Sequence, residues 1–126
     1  MSQMKDSGYV TFTASAAITL YALVKYASGK VTTCGLADRP IGVAMDAAFA
    51  DGDEIAVKLL TSPGTFKCIA KEACAVSAIL YTEAGGKVQD TAEATALPIF
   101  QAMEAASAEN DIIECLPIHY GGVAAS

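Results

Sequence analysis

The sequence predicts an all-β fold, a short-stranded antiparallel β-barrel or sandwich built from an internal duplication, with at most short helical turns. Turn-forming residues recur about every 8 to 12 positions between short runs of β-branched and apolar residues. No segment keeps the period of about 3.6 residues that an amphipathic helix requires for more than one or two turns. The chain also repeats a series of motifs in the same order, which is typical of a duplicated supersecondary unit.

The duplication is carried by four motifs that return at a nearly constant offset. The offset is 57 residues at the first motif (87 minus 30) and 58 at the later ones (98 minus 40, 103 minus 45, 111 minus 53). The motifs are Gly-Lys-Val at 29–31 and 86–88, Pro-Ile at 40–41 and 98–99, Ala-Met-acid-Ala-Ala at 44–48 and 102–106, and an acidic turn entering a strand at 51–55 and 109–113. The Gly-Lys-Val and Pro-Ile matches do not involve alanine, so the alanine-rich composition does not explain them.

Ten strands are expected, each bounded by turn-forming residues. They cover residues 9–13, 20–26, 30–34, 41–45, 54–60, 65–70, 78–82, 87–89, 97–103 and 111–118. Gly29 suits the tight hairpin between the second and third strands, because glycine adopts positive φ at little cost. Pro40 lies where a strand begins, a position that tolerates proline. The stretches 47–52 and 91–96 are expected to be turns, each with room for one helical turn.

A length of 126 residues fits one domain. Residues 1–8 are polar and without periodicity, so we expect a flexible N-terminal arm. A single β domain should cover 9–120, with pseudo-repeats at about 17–60 and 75–118. The small residues at 121–126 predict a frayed C-terminus.

Net charge is −6 and unevenly distributed. Residues 1–71 hold seven Lys/Arg and six Asp/Glu (+1), whereas residues 72–126 hold one Lys and eight acids (−7). An acidic chain without a basic patch argues against a nucleic-acid partner. No run approaches the ~20 apolar residues of a membrane helix, and the N-terminus lacks a signal-type segment. We therefore expect synthesis in a cytosol, no membrane partner, and four reduced, partly buried cysteines.

No constellation of residues predicts catalysis, a metal site or a cofactor. The sole histidine, His119, lies four residues after Cys115 on an expected strand, which places them roughly 13 Å apart and too far for proton transfer. The acids at 46–54 lack the spacing of a calcium loop, and turn chemistry explains them better. Gly-Gly-Lys at 85–87 lacks the rest of a phosphate-binding loop. The sequence therefore predicts a protein that is not an enzyme.

A small cytosolic carrier or ligand-binding domain of the lipoyl or biotinyl type is the alternative. Such domains are also pseudo-symmetric β structures that carry a lysine on a hairpin. Here Lys30 and Lys87 both follow glycine, but neither has the flanking residues of the modified lysine. A modified Lys30 or Lys87 in a mass spectrum would favour this alternative.

The motif order over about residues 9–118 resembles the capsid cement, or head decoration, proteins of tailed bacteriophages. The most specific part is 40–48, Pro-Ile-Gly-Val-Ala-Met-Asp-Ala-Ala, together with 51–57. The pair Phe100-Gln101 departs from the first copy, which has Gly42-Val43. The resemblance implies a structural protein of the virion, bound as a homotrimer to the outer capsid surface, where it stabilises contacts between major capsid protein subunits.

The resemblance also implies that an N-terminal segment adds as a strand to a capsid subunit. The candidate capsid-binding residues are Tyr9, Val10, Thr11, Phe12 and Thr13. Their alternation places Val10 and Phe12 on one face, so pairing with a foreign strand would bury both. The other interpretation is an ordinary strand of the domain's own sheet, and the sequence leaves both open.

Overall fold

A computed structural model describes residues 9–62 and 64–118, and this part of the chain folds into ten strands. The strands are β1 (Tyr9–Thr13), β2 (Leu23–Ala27), β3 (Lys30–Thr33), β4 (Gly42–Ala44), β5 (Glu54–Leu59), β6 (Phe66–Ile69), β7 (Ile79–Thr82), β8 (Val88–Gln89), β9 (Pro98–Ala102) and β10 (Ile112–Pro117). The predicted all-β class is confirmed. A single 3₁₀ turn, Ala84–Gly86, is the only helical element among the described residues, and none of them forms a helix able to cross a membrane.

The strands form two five-stranded antiparallel sheets with the same topology. The order is β1-β5-β4-β2-β3 in the first sheet and β6-β10-β9-β7-β8 in the second. In each sheet, a parallel bridge brings the two edges toward each other. The bridges join Ala14 to Val31 in the first sheet and Ala70 to Val88 in the second. Both sheets are therefore curled, and residues 9–62 and 64–118 form two equivalent halves.

Hydrogen bonds between loops repeat along with the strands. Ile18 and Ala48 exchange two backbone hydrogen bonds of 2.9 Å, and Cys74 and Ala106 exchange two of 3.0 Å. The repeated motifs at 44–48 and 102–106 therefore have the same structural role. The structural repeat begins at β1 and β6, earlier than the predicted starts at residues 17 and 75. These two strands occupy equivalent places in their sheets, but their sequences differ, so the sequence match did not include them.

The two halves share their apolar core. Leu23, Cys34 and Val43 of the first half belong to the same buried cluster as Phe66 and Phe100 of the second. A further cluster lines the first sheet, and Ile69 of the second half completes it. Since a half alone would expose these side chains to water, the halves stabilise each other.

The hairpin between β7 and β8 docks directly on the first half. The backbone N–H of Gly86 donates to the carbonyl of Cys34 at 2.9 Å. The Thr82 hydroxyl donates to the carbonyl of Leu36 at 2.6 Å and accepts from the N–H of Leu97 at 3.0 Å. Thr82 is fully buried, and these bonds satisfy its hydroxyl.

Two details differ from the sequence prediction. The second strand begins at Leu23, not at residue 20, because Tyr21 has a φ of 71° that interrupts extended backbone. Residues 91–96 form no helical turn; Thr95 has a φ of 69° and the N–H of Ala96 closes a turn on Glu93. The 3₁₀ turn forms instead at 84–86, where the Glu83 carboxylate accepts the N–H of Ala84 and two glycines take positive φ.

Candidate interaction surface

Residues Tyr9–Thr13 form β1, an edge strand of the first sheet that pairs with β5 from Tyr9–Lys58 to Thr13–Glu54. Val10 and Phe12 are half-buried, and the Phe12 ring contacts Tyr26 edge-on at 5.7 Å between centroids. The chain thus uses one edge of this strand within its own sheet. Capsid binding by residues 9–13 stays a prediction, and it would have to use the edge away from β5.

The most exposed large apolar side chain among the described residues is Phe49, at 84% exposure. It lies in the loop between β4 and β5. The Asp53 carboxylate accepts the N–H groups of Phe49 at 2.7 Å and Ala50 at 3.2 Å, as turn chemistry predicts. Phe49 borders a shallow groove of about 450 Å³. The other residues that line this groove are Ala17, Ile18, Thr19, Leu20, Ala47 and Ala48.

The second half has the same loop between β9 and β10, with a different residue at its tip. The Asp111 carboxylate accepts the N–H groups of Ser107 at 2.7 Å and Ala108 at 3.2 Å, and also the Ser107 hydroxyl at 2.9 Å. These three hydrogen bonds hold the pKa of Asp111 below its ordinary value. Ser107 therefore occupies the position that Phe49 has in the first half.

The groove at Phe49 continues into a second one of about 360 Å³, which reaches Ile69 and Ile112 of the second half. Thr19 and Leu20 line both grooves. An apolar surface therefore runs from the Phe49 loop across the boundary between the halves. The sequence does not predict this surface, because Phe49 is one large apolar residue within a loop of alanines and acids.

The two hairpin lysines considered for a carrier domain are both in ion pairs. The Lys30 ammonium lies 2.9 Å from the Asp51 carboxylate, and the Lys87 ammonium lies 3.0 Å from that of Glu109. Lys71 reaches the same Glu109 carboxylate at 3.8 Å. These equivalent pairs stabilise loops on both halves, which is a structural role for the repeated Gly-Lys-Val motif.

The structure does not test the pairing of Cys115 with His119. His119 lies outside the described residues, as do the N-terminal arm 1–8 and the C-terminal 121–126. All four cysteines are free and buried. Burial raises the pKa of the Cys34 thiol to about 12, and it also raises the pKa of Cys68, which lies against Cys115. Within 9–62 and 64–118, no three His, Cys, Asp or Glu side chains form a group that could hold a metal ion.

Two carboxylates of the second half lie close together. Burial, together with a hydrogen bond to Glu72 and its charge, raises the pKa of Asp90 above 3.8. The Thr91 hydroxyl donates to Glu72 at 2.8 Å and fixes that carboxylate in place. A raised carboxyl pKa means that the folded chain binds the proton more tightly than the unfolded chain. This pair therefore lowers stability as pH rises from 3.8 through the raised pKa.

Replacing Glu72 by Gln is expected to stabilise the fold at pH 7 and to return the pKa of Asp90 toward its ordinary value. The gain should disappear well below pH 3.8, where Asp90 is protonated in both the folded and the unfolded chain. Thermal unfolding at pH 7 and pH 3, with an NMR titration of Asp90, measures both effects. Glu54→Gln, which alters an exposed acid on the first sheet, is the matched control. A gain that persists unchanged at pH 3 would contradict the carboxylate interaction.

Comparison with known proteins identifies the fold. No protein-family model and no curated protein sequence matches the chain. Among solved structures, the chain is similar to the head fiber gp8.5 N base in bacteriophage phi29. That match has a TM-score of 0.73 and 20% sequence identity, and it covers 87% of this chain and 92% of that one. Because the match spans most of both chains, the two proteins share their overall fold.

Proposed function

We propose that this chain is a non-enzymatic structural protein of a phage head, which binds the outer surface of the capsid and stabilises contacts between major capsid protein subunits. The observation that carries the proposal is the fold shared with the phi29 head fiber base across 87% of this chain. The motif resemblance to capsid cement proteins points to the same class independently of that structure. Fold alone does not fix function, so the proposal also needs a suitable surface.

The exposed apolar surface around Phe49 supports a binding role. Phe49 is 84% exposed beside a groove lined mainly by apolar residues, an arrangement typical of an aromatic side chain that contacts another molecule. The groove at Phe49 is shallow and open, which suits a protein partner better than an enclosed small molecule. We further propose a homotrimer, because three linked copies bind a repeating shell with higher avidity than one copy. The edge of β1 away from β5 remains a proposed second contact with the capsid.

Co-sedimentation with purified capsid shells that lack this protein tests the proposal. The chain should pellet with the shells, saturate at a fixed number of copies, and leave the shells more resistant to heat. Analytical ultracentrifugation of the free protein should give the mass of three chains. A chain that stays in the supernatant at every concentration would overturn the proposed function. Mass spectrometry of the same sample should find Lys30 and Lys87 unmodified, since both ammonium groups are engaged in ion pairs.

A further inference from the structure

The Phe49 loop is held rigid without burying its aromatic ring. Ala48 is fixed to Ile18 by two backbone hydrogen bonds, and Asp53 fixes the backbone of Phe49 and Ala50. The backbone that carries the ring is therefore ordered before any partner binds. Preordering of this kind lowers the entropic cost of association.

The fold itself does not require an aromatic residue at this position. The equivalent loop of the second half keeps the Asp-capped turn and the bridge between Cys74 and Ala106, yet it carries Ser107. Phe49 at 84% exposure also gains little from packing within the chain. Aromatic side chains on a rigid surface beside an apolar groove are typical binding anchors.

The charge around Phe49 indicates the chemistry of the partner. Residues 45–54 carry four carboxylates (Asp46, Asp51, Asp53, Glu54) and no Lys or Arg, and Lys30 pairs with one of them, which leaves −3. In the equivalent second loop, residues 103–112 carry three acids, and Lys71 and Lys87 both pair with one of them, Glu109, which leaves −1. An apolar anchor with an acidic rim complements an apolar pocket with a basic rim.

The same charges disfavour a second copy of this chain as the occupant. The whole chain has a net charge of −6, and its residues 72–126 sum to −7. Lys87, which lines the second groove, and Lys30 are already paired with carboxylates. Docking the Phe49 loop on another copy would therefore place like charges together.

We propose that Phe49 is the anchor by which this chain docks into a basic-rimmed apolar pocket on the capsid shell. The inference rests on the proposed function and adds to it the loop and the side chain that meet the shell. The groove formed with Leu20 and Ala17 receives the apolar groups around that pocket. The acidic rim steers the approach and fixes the orientation of the bound chain.

The test compares Phe49→Ser with Val76→Ser in the shell co-sedimentation assay. Phe49→Ser installs the residue that the second half carries at the equivalent position. Val76 is an exposed apolar residue of the second half, at 57% exposure, so its replacement is the matched control. We expect Phe49→Ser to weaken binding at least 30-fold, a typical loss for an interface anchor, and Val76→Ser to bind like the parent chain. Both variants should keep the parent melting temperature, because neither side chain is in the core.

A salt series completes the design. Binding of the parent chain should weaken as NaCl rises from about 0.05 to 0.5 M, because salt screens the acidic rim from the basic one. Equal binding by all three chains would overturn the role of Phe49 while leaving the proposed function intact. Binding that strengthens with salt would contradict a partner pocket with a basic rim. A Phe49→Ser chain that loses self-association and not shell binding would assign the groove to a second copy and would also overturn the inference.

Discussion

Gly86→Ala is expected to lower the melting temperature by about 10 to 20 °C. A Cβ at this position would lie 2.8 Å from the Ala22 Cβ, 2.9 Å from the Leu23 carbonyl oxygen and 3.0 Å from the Leu23 nitrogen. Gly86 also has a φ of +72°, where a side chain adds about 1–2 kcal/mol of strain. Overpacking against backbone adds about 1–3 kcal/mol more.

Gly29→Ala separates the two causes of this loss. Gly29 is the equivalent glycine of the first half, has a φ of +81°, and has no atom within 4 Å of an added Cβ. Its replacement should therefore cost only the conformational strain, about 3 to 10 °C in melting temperature. Differential scanning calorimetry of both variants measures the difference. Equal losses would contradict a tight contact between the second hairpin and the first half.

Phe100→Ala is expected to reduce the free energy of unfolding by about 3–5 kcal/mol. Phe100 is fully buried in the cluster that joins the halves, and its ring packs against Phe66 at 5.4 Å between centroids. Truncation removes that apolar contact and leaves a cavity that the surrounding strands only partly fill. Urea unfolding monitored by circular dichroism measures the loss.

Phe49→Ala is the matched control for Phe100→Ala. It makes the same chemical change at a ring that is 84% exposed, so its effect on stability should stay within about 0.5 kcal/mol. The pair contrasts a phenylalanine that stabilises the core with one that faces solvent. A loss below about 1 kcal/mol for Phe100→Ala would mean that the core between the halves repacks without cost.

The fold class could be predicted because its signals are local. Alternation in β1 and β5 and the turn residues around them mark strands directly in the sequence. Strand ends were less predictable, since the positive φ of Tyr21 accompanies a hydrogen bond from its N–H to the carbonyl of Ala44, which is distant in sequence. The equivalence of β1 and β6 was also hidden, because the two strands hold the same place in their sheets with different residues.

The contrast between Gly42 and Phe100 shows why the halves differ at equivalent positions. Gly42 pairs with Val24, and Phe100 pairs with Leu80 at the same place in the second sheet. A Cβ on Gly42 would lie 2.3 Å from the Lys58 carbonyl oxygen, so the first sheet has no room for a side chain there. Only the packed structure distinguishes the two environments.

The candidate site was harder to predict than the fold. The resemblance to cement proteins predicted capsid binding by Tyr9–Thr13. The structure places this strand in the domain's own first sheet. Phe49 gave little sequence signal, because one aromatic residue in a loop is usually buried by tertiary contacts. Its 84% exposure and its replacement by Ser107 in the equivalent loop become informative only when both halves are compared in space.

A cryo-EM map of capsid shells saturated with this protein, compared with a map of bare shells, tests whether the chain binds the outer surface of the capsid through Phe49. We expect added density on the outer surface only, with the loop at 45–53 facing a capsid subunit and Phe49 within a pocket lined by Lys or Arg. Identical maps would contradict a capsid-binding function. Added density on the inner surface would also contradict it.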